Sequence, residues 1–111
     1  MKMLFICSRN RQRSLTAEHT FDGVANHQVR SAGTEPQARI RVTAGHIGWS
    51  DMIFVMEKRH LDRLRAKYAE PLRGKRIVCL HIPDTYAYMD ATLIALLKRA
   101  VEPYLLADED S

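Results

Sequence analysis

The chain has 111 residues, 46% of them apolar and 27% charged, which is the size and make-up of one soluble domain. The formal net charge of +4 suits an anionic ligand, nucleic acid included, but by itself it reads as a basic surface that keeps the protein in solution. No apolar run is long enough to cross a bilayer, the N-terminus does not read as a signal peptide, and two cysteines are too few for a disulfide framework, so a cytoplasmic setting is expected.

The first element is the apolar run Met3-Leu4-Phe5-Ile6, too short for a helix and read as a buried strand ending at Cys7. A polar stretch, Ser8 to Arg13, follows. Ser14 is placed to cap a helix in which Ala17, Phe21 and Val24 recur at helical spacing, with Gly23 and Asn26 to end it. Gln28 to Ala32 reads as a second strand stopped by Gly33, and Thr34 to Val42, with Pro36, as a loop. Thr43 to Trp49 reads as a short helix despite Gly45 and Gly48.

Met52 to Met56 is a continuous apolar run and a buried strand. Glu57 to Tyr68 predicts a helix with Leu61, Leu64 and Tyr68 inward, before Pro71 and Gly74 break the chain. Arg76 to Ile82 predicts a fourth strand, with Cys79 as a small buried residue within it. Asp90 to Leu106 predicts a last helix with Met89, Leu93, Leu97 and Ala100 on one side, bent or ended by Pro103. The acidic tail Asp108-Glu109-Asp110 reads as a frayed end.

Apolar strands alternating with helices predict an α/β fold spanning 1–111 as a single domain. The expected architecture is a three-layer α/β/α sandwich on a four-stranded parallel sheet, with right-handed crossovers.

The segment Cys7-Ser8-Arg9-Asn10-Arg11-Gln12-Arg13-Ser14 lies between the first strand and the first helix. Open parallel sheets bind ligands at this edge, and a helix N-terminus presents unpaired N–H groups to an anion. A loop curled there forms a nest of donors for phosphate oxygens from residues 8 to 13. Cys7 at its base has a setting that favours the thiolate, with Ser14 placed to donate to the sulfur. A thiolate attacks phosphorus in line and forms phosphocysteine. Arg13 offers a planar fork for two phosphoryl oxygens. Arg9 and Arg11 read either as solvated loop charges or as attractors of a strongly anionic substrate. Asp84, just past Pro83, falls on the same sheet edge as Cys7 and is placed to protonate a leaving alcohol.

Cysteine, five residues, then Arg13-Ser14, together with Asn10, Ser31-Ala32-Gly33-Thr34, Asp51 to Glu57 and Asp84-Thr85-Tyr86, resembles the low-molecular-weight protein tyrosine phosphatase family from Met3 to about Leu106. The resemblance implies a phosphatase acting on a phosphorylated protein or small phosphoester through phosphocysteine. It implies that Cys7 is the nucleophile, Arg13 the phosphate-binding arginine and Ser14 the support of the thiolate. It further implies that Asn10 holds the loop, Asp84 is the general acid and Tyr86 walls the substrate pocket. The phosphate-binding set is Ser8, Arg9, Asn10, Arg11, Gln12 and Arg13. Arg9 and Gln12 stand where family members often have Gly and a second Cys, and the connection after Thr34 is shorter than usual.

No cofactor is implied, and the five histidines show no metal-ligand spacing. No membrane or nucleic-acid partner is expected, and the sequence leaves the oligomeric state open. Two other readings stand beside the phosphatase: an arsenate reductase, which needs further thiols, and a non-catalytic module that binds phosphate or nucleic acid through Arg9, Arg11 and Arg13.

Overall fold

Strand β1, Lys2–Cys7, alternates its side chains between two helical layers. The structure, a computed structural model, describes residues 1–109, with side chains through Leu105. Met3, Phe5 and Cys7 face a cluster closed by helices α1 (Arg13–Phe21) and α5 (Ala91–Glu109). Leu4 and Ile6 face a second cluster closed by α2 (Ala44–Trp49), α3 (Lys58–Lys67) and α4 (Ala69–Leu72). The remaining strands are β2 (Gln28–Gly33), β3 (Met52–Val55) and β4 (Arg76–Cys79).

The four-stranded sheet has the order β2-β1-β3-β4 and every pairing is parallel. The expected α/β/α layering therefore holds. Phe5 anchors the first layer, stacked on Phe54 at 4.9 Å and on Phe21 at 5.6 Å between ring centroids. β1 is paired on both sides, so the order of connections reverses beside it. The loop after Cys7 opens at this switch point, the natural ligand crevice of an open parallel sheet.

Several expectations change in detail. Ser14 does not cap α1. Gln12 occupies the cap position with no side-chain hydrogen bond, and the Ser14 hydroxyl turns toward Cys7. Val24 lies beyond α1 in a short 3₁₀ turn and is exposed. β4 stops at Cys79 because His81 takes a left-handed conformation (φ 55°), although Leu80 and Ile82 still donate to Val55 and Met56. Cys79 is half-buried rather than buried, with Sγ 3.6 Å from His81 Nδ1. Met89 precedes α5 and is exposed.

α5 runs through Pro103 to Glu109. Proline removes one helical hydrogen bond, but side chains past it still have apolar surface to cover. Tyr104 packs edge-on against Phe54 at 5.7 Å and lies under the Arg76 guanidinium, which holds the helix on the sheet. Of the expected frayed tail, Asp108 and Glu109 belong to α5, and Asp110 lies outside the described residues. Among the described residues, no helix is long and apolar enough to cross a membrane.

Candidate active site

The main-chain carbonyls of Cys7, Ser8, Arg9 and Asn10 all point away from the ligand side of their loop. They accept, in order, from the N–H of Thr34 at 3.0 Å, the N–H of Glu35 at 3.0 Å, the N–H of Arg39 at 2.9 Å and Nε of Arg39 at 3.1 Å. A peptide whose carbonyl points outward turns its N–H inward. The N–H groups of Arg9, Arg11 and Gln12 find no acceptor among the described residues. With the uncapped start of α1 they form a concave array of donors, which suits an anion.

Two residues allow this shape. Asn10 adopts φ 56°, a left-handed turn that asparagine tolerates better than most residues. Gly33 lets the loop approach β2: a Cβ there would sit 2.6 Å from the Ser8 carbonyl oxygen. The result is a cup of about 120 Å³ lined by Cys7, Ser8, Arg9, Arg11, Gln12, Arg13 and Asp84.

The Cys7 sulfur receives the N–H of Asn10 at 3.3 Å and lies 2.9 Å from Ser14 Oγ. Asn10 Nδ2 donates to the same Ser14 oxygen at 2.8 Å. That oxygen is thus occupied as an acceptor, and its own proton is free for the sulfur. The alternative acceptor for that proton, the Ala32 carbonyl, is farther away at 3.5 Å. Donors aimed at a sulfur stabilise its anionic form.

Arg13 is almost fully buried and anchored through Nη1. Nη1 donates to the Ile82 carbonyl at 2.8 Å and to the Glu57 carboxylate. Nε lies 3.7 Å from Asp84 Oδ1. Glu57 also accepts from Arg59 Nη2 at 3.1 Å. The Arg59 hydrogen bond, joined by Arg13, holds the Glu57 carboxyl down to about pKa 2.

His60 closes the arrangement from below. Its Nδ1 accepts the Glu57 main-chain N–H at 3.0 Å, which leaves Nε2 to donate to Ser8 Oγ at 2.9 Å. Burial, with Arg13 and Arg59 nearby, pushes the His60 pKa down to about 4, so the ring is neutral at pH 7.

The expected site residues do not all fall together. Cys7, Ser8, Arg9, Arg11, Gln12, Arg13 and Asp84 share the cup. Asn10 is fully buried and does not line it; its amide braces Ser14. Tyr86 is a correction. It packs on the first core cluster and lines a separate hollow with Leu80, Pro83 and Arg99, past the point where Asp84 reaches the cup. Glu57 and His60 carry no site role in the sequence: Glu57 reads as the start of a helix and the end of the Asp51 to Glu57 stretch, and His60 as one of the ordinary histidines. Their visible signal is the spacing: Glu57 caps α3 and His60 occupies its third position, in a reciprocal capping box.

No family pattern matches the sequence, and no curated protein does. Solved structures do. A low-molecular-weight phosphotyrosine phosphatase from Vibrio cholerae O395 superposes with TM-score 0.78 at 19% identity, over 98% of this chain and 97% of that one. The tyrosine phosphatase AmsI of Erwinia amylovora gives 0.77 at 21% identity, over 96% and 91%. The chain has the fold of the low-molecular-weight protein tyrosine phosphatases. The YwlE arginine phosphatase of Geobacillus stearothermophilus shares this phosphatase fold with TM-score 0.74 at 18% identity, over 98% and 96%.

Proposed function

We propose that the chain is a cysteine-dependent phosphomonoester hydrolase of the low-molecular-weight tyrosine phosphatase type, acting through phosphocysteine. The observation that carries this reading is the Cys7 sulfur at the base of a cup of inward-turned N–H groups. In support of the covalent step, one YwlE arginine phosphatase structure with serine in place of its active-site cysteine carries a phosphorylated active-site serine.

In the proposed reaction the phosphoryl group enters with its oxygens toward the loop N–H groups and the Nε and Nη2 side of Arg13, away from its Nη1 anchors. The Cys7 thiolate attacks phosphorus opposite the leaving oxygen. The S–P bond forms as the P–O bond breaks, and Asp84 gives its proton to the leaving oxygen. Asp84 then takes a proton from water, the water oxygen bonds to phosphorus, and the S–P bond breaks to release phosphate and restore the thiolate. Asp84 combines a place in the cup lining with an exposed side chain, which suits exchange of this proton with solvent. A reducing cytoplasm, which keeps Cys7 and Cys79 as free thiols, fits this chemistry.

Arsenate reduction through an internal disulfide is disfavoured by register. Ile6, Val55 and Cys79 share one row across three parallel strands, which separates Cys79 from β1 by about 10 Å at the usual strand spacing. Cys7 and Cys79 also belong to clusters on opposite faces of the sheet. A disulfide needs Cα atoms within about 7 Å.

The test is rapid acid quench of the protein with 4-nitrophenyl phosphate, followed by mass spectrometry. One phosphoryl group on Cys7 in the wild type, and neither adduct on sulfur nor turnover in Cys7→Ser, is expected. Cys7-independent turnover sinks the proposal.

A further inference from the structure

We infer that the substrate of this cup is a compact phosphomonoester carrying a second phosphoryl or carboxylate group a few bonds from the scissile phosphate. The inference rests on the phosphatase reading above. The first phosphate is already provided for by the loop N–H groups, the start of α1 and Arg13. Arg13 is in turn balanced by Glu57 and Asp84.

Arg9 and Arg11 are additional. Both are exposed, and both line the cup itself rather than a remote surface. Arg11 has no acidic partner and no hydrogen-bonded acceptor for its side chain among the described residues. Arg9 meets Glu35 only at 3.5 Å with a side chain 68% exposed, a pairing weak enough to yield to a ligand. Guanidinium groups bind phosphate and carboxylate through paired N–H donors.

The rest of the lining points the same way. Among the described residues, no aromatic ring borders the cup. Tyr86 is turned to the core, and Tyr88 is exposed with its hydroxyl against His19 Nδ1. A phenyl leaving group would find charge where it needs an apolar wall. A small leaving group with its own negative charge would find Arg11 without an acidic partner among the described residues and Arg9 only weakly held by Glu35. The basic residues along α3, by contrast, do not line the cup and read as an ordinary solvated face.

Binding to Cys7→Ser protein tests this without turnover, using isothermal titration with fructose 1,6-bisphosphate, fructose 6-phosphate and phosphotyrosine. The bisphosphate is expected to bind at least tenfold tighter than either, with an advantage that shrinks as salt rises. Adding Arg11→Gln should cut that advantage about tenfold, with the melting temperature checked to confirm folding. Equal affinity for the two sugar phosphates, tighter binding of phosphotyrosine, or an advantage untouched by Arg11→Gln overturns the inference. The phosphatase reading fails on a different result, the absence of Cys7-dependent phosphate release from 4-nitrophenyl phosphate by the wild type.

Discussion

Ser14 Oγ lies 2.9 Å from the Cys7 sulfur, and the Asn10 amide, by occupying that oxygen as an acceptor, aims its proton at the sulfur. Ser14→Ala removes a hydroxyl donor from the proposed nucleophile's sulfur, and hydrogen bonds to charged groups are worth about 1.5–3 kcal/mol. Alkylation of Cys7 by iodoacetamide at pH 7 should slow about tenfold or more, and kcat should fall with it. An unchanged alkylation rate would show that the hydroxyl does not serve the sulfur.

Asp84 is the carboxylate among the cup's lining residues and the proposed general acid. Asp84→Asn should lower kcat by about 10²–10⁴ for alkyl phosphates, whose leaving oxygen needs protonation. The loss should be much smaller for 4-nitrophenyl phosphate, whose leaving group departs as an anion. Equal losses on the two substrates would remove the general-acid role.

Stability should fall on acidification in two stages. The His60 pKa is lowered from 6.5 to about 4 in the folded chain. The unfolded chain therefore binds a proton more readily, so the stabilisation is complete above pH 6.5 and is lost as pH falls toward 4. The loss is about 3 kcal/mol at most. The Glu57 carboxyl, lowered from 4.5 to about 2, adds stability that is complete above 4.5 and lost as pH falls toward 2. Urea titrations between pH 7 and pH 4 should show the first stage, and His60→Gln should flatten it.

Gly33 faces the Ser8 carbonyl oxygen and Ala38 Cβ, each 2.6 Å from where a Cβ would stand. Gly33→Ala must move the loop or the 34–39 segment. Overpacking of this kind costs roughly 1–3 kcal/mol. Activity should drop more than stability, because the displaced peptide is part of the cup. Full activity with unchanged melting would show that the close approach is dispensable.

Local signals carried far in this chain. The run Met3-Leu4-Phe5-Ile6 named its strand, and Arg13-Ser14 after Cys7 named the loop. Asp84 followed from parallel topology alone, since every strand of a parallel sheet ends on one edge. What the sequence hid was long-range. Glu57 meets Arg13 from 44 residues away, and His60 meets Ser8 from 52. No periodicity encodes such a meeting; only the packing of α3 onto the second sheet face creates it. Ser14 carried two readings, cap and donor to the sulfur, because a hydroxyl at a helix start can turn to an N–H or to a sulfur; of the two, only the contact with the sulfur is present. Tyr86 misled because a residue two positions past Asp84 need not share its cup; here Tyr86 packs on the first core cluster instead.

The placement of Cys7 and Cys79 on opposite sheet faces has a bearing on damage. Peroxide converts a reactive thiolate to sulfenic acid, which a nearby thiol can trap before further oxidation destroys it. Cys7 has no such rescuer within its own fold. With Cys7 as the proposed nucleophile, recovery after an oxidative pulse depends on a small thiol or a reducing protein arriving from outside, in competition with the next molecule of peroxide.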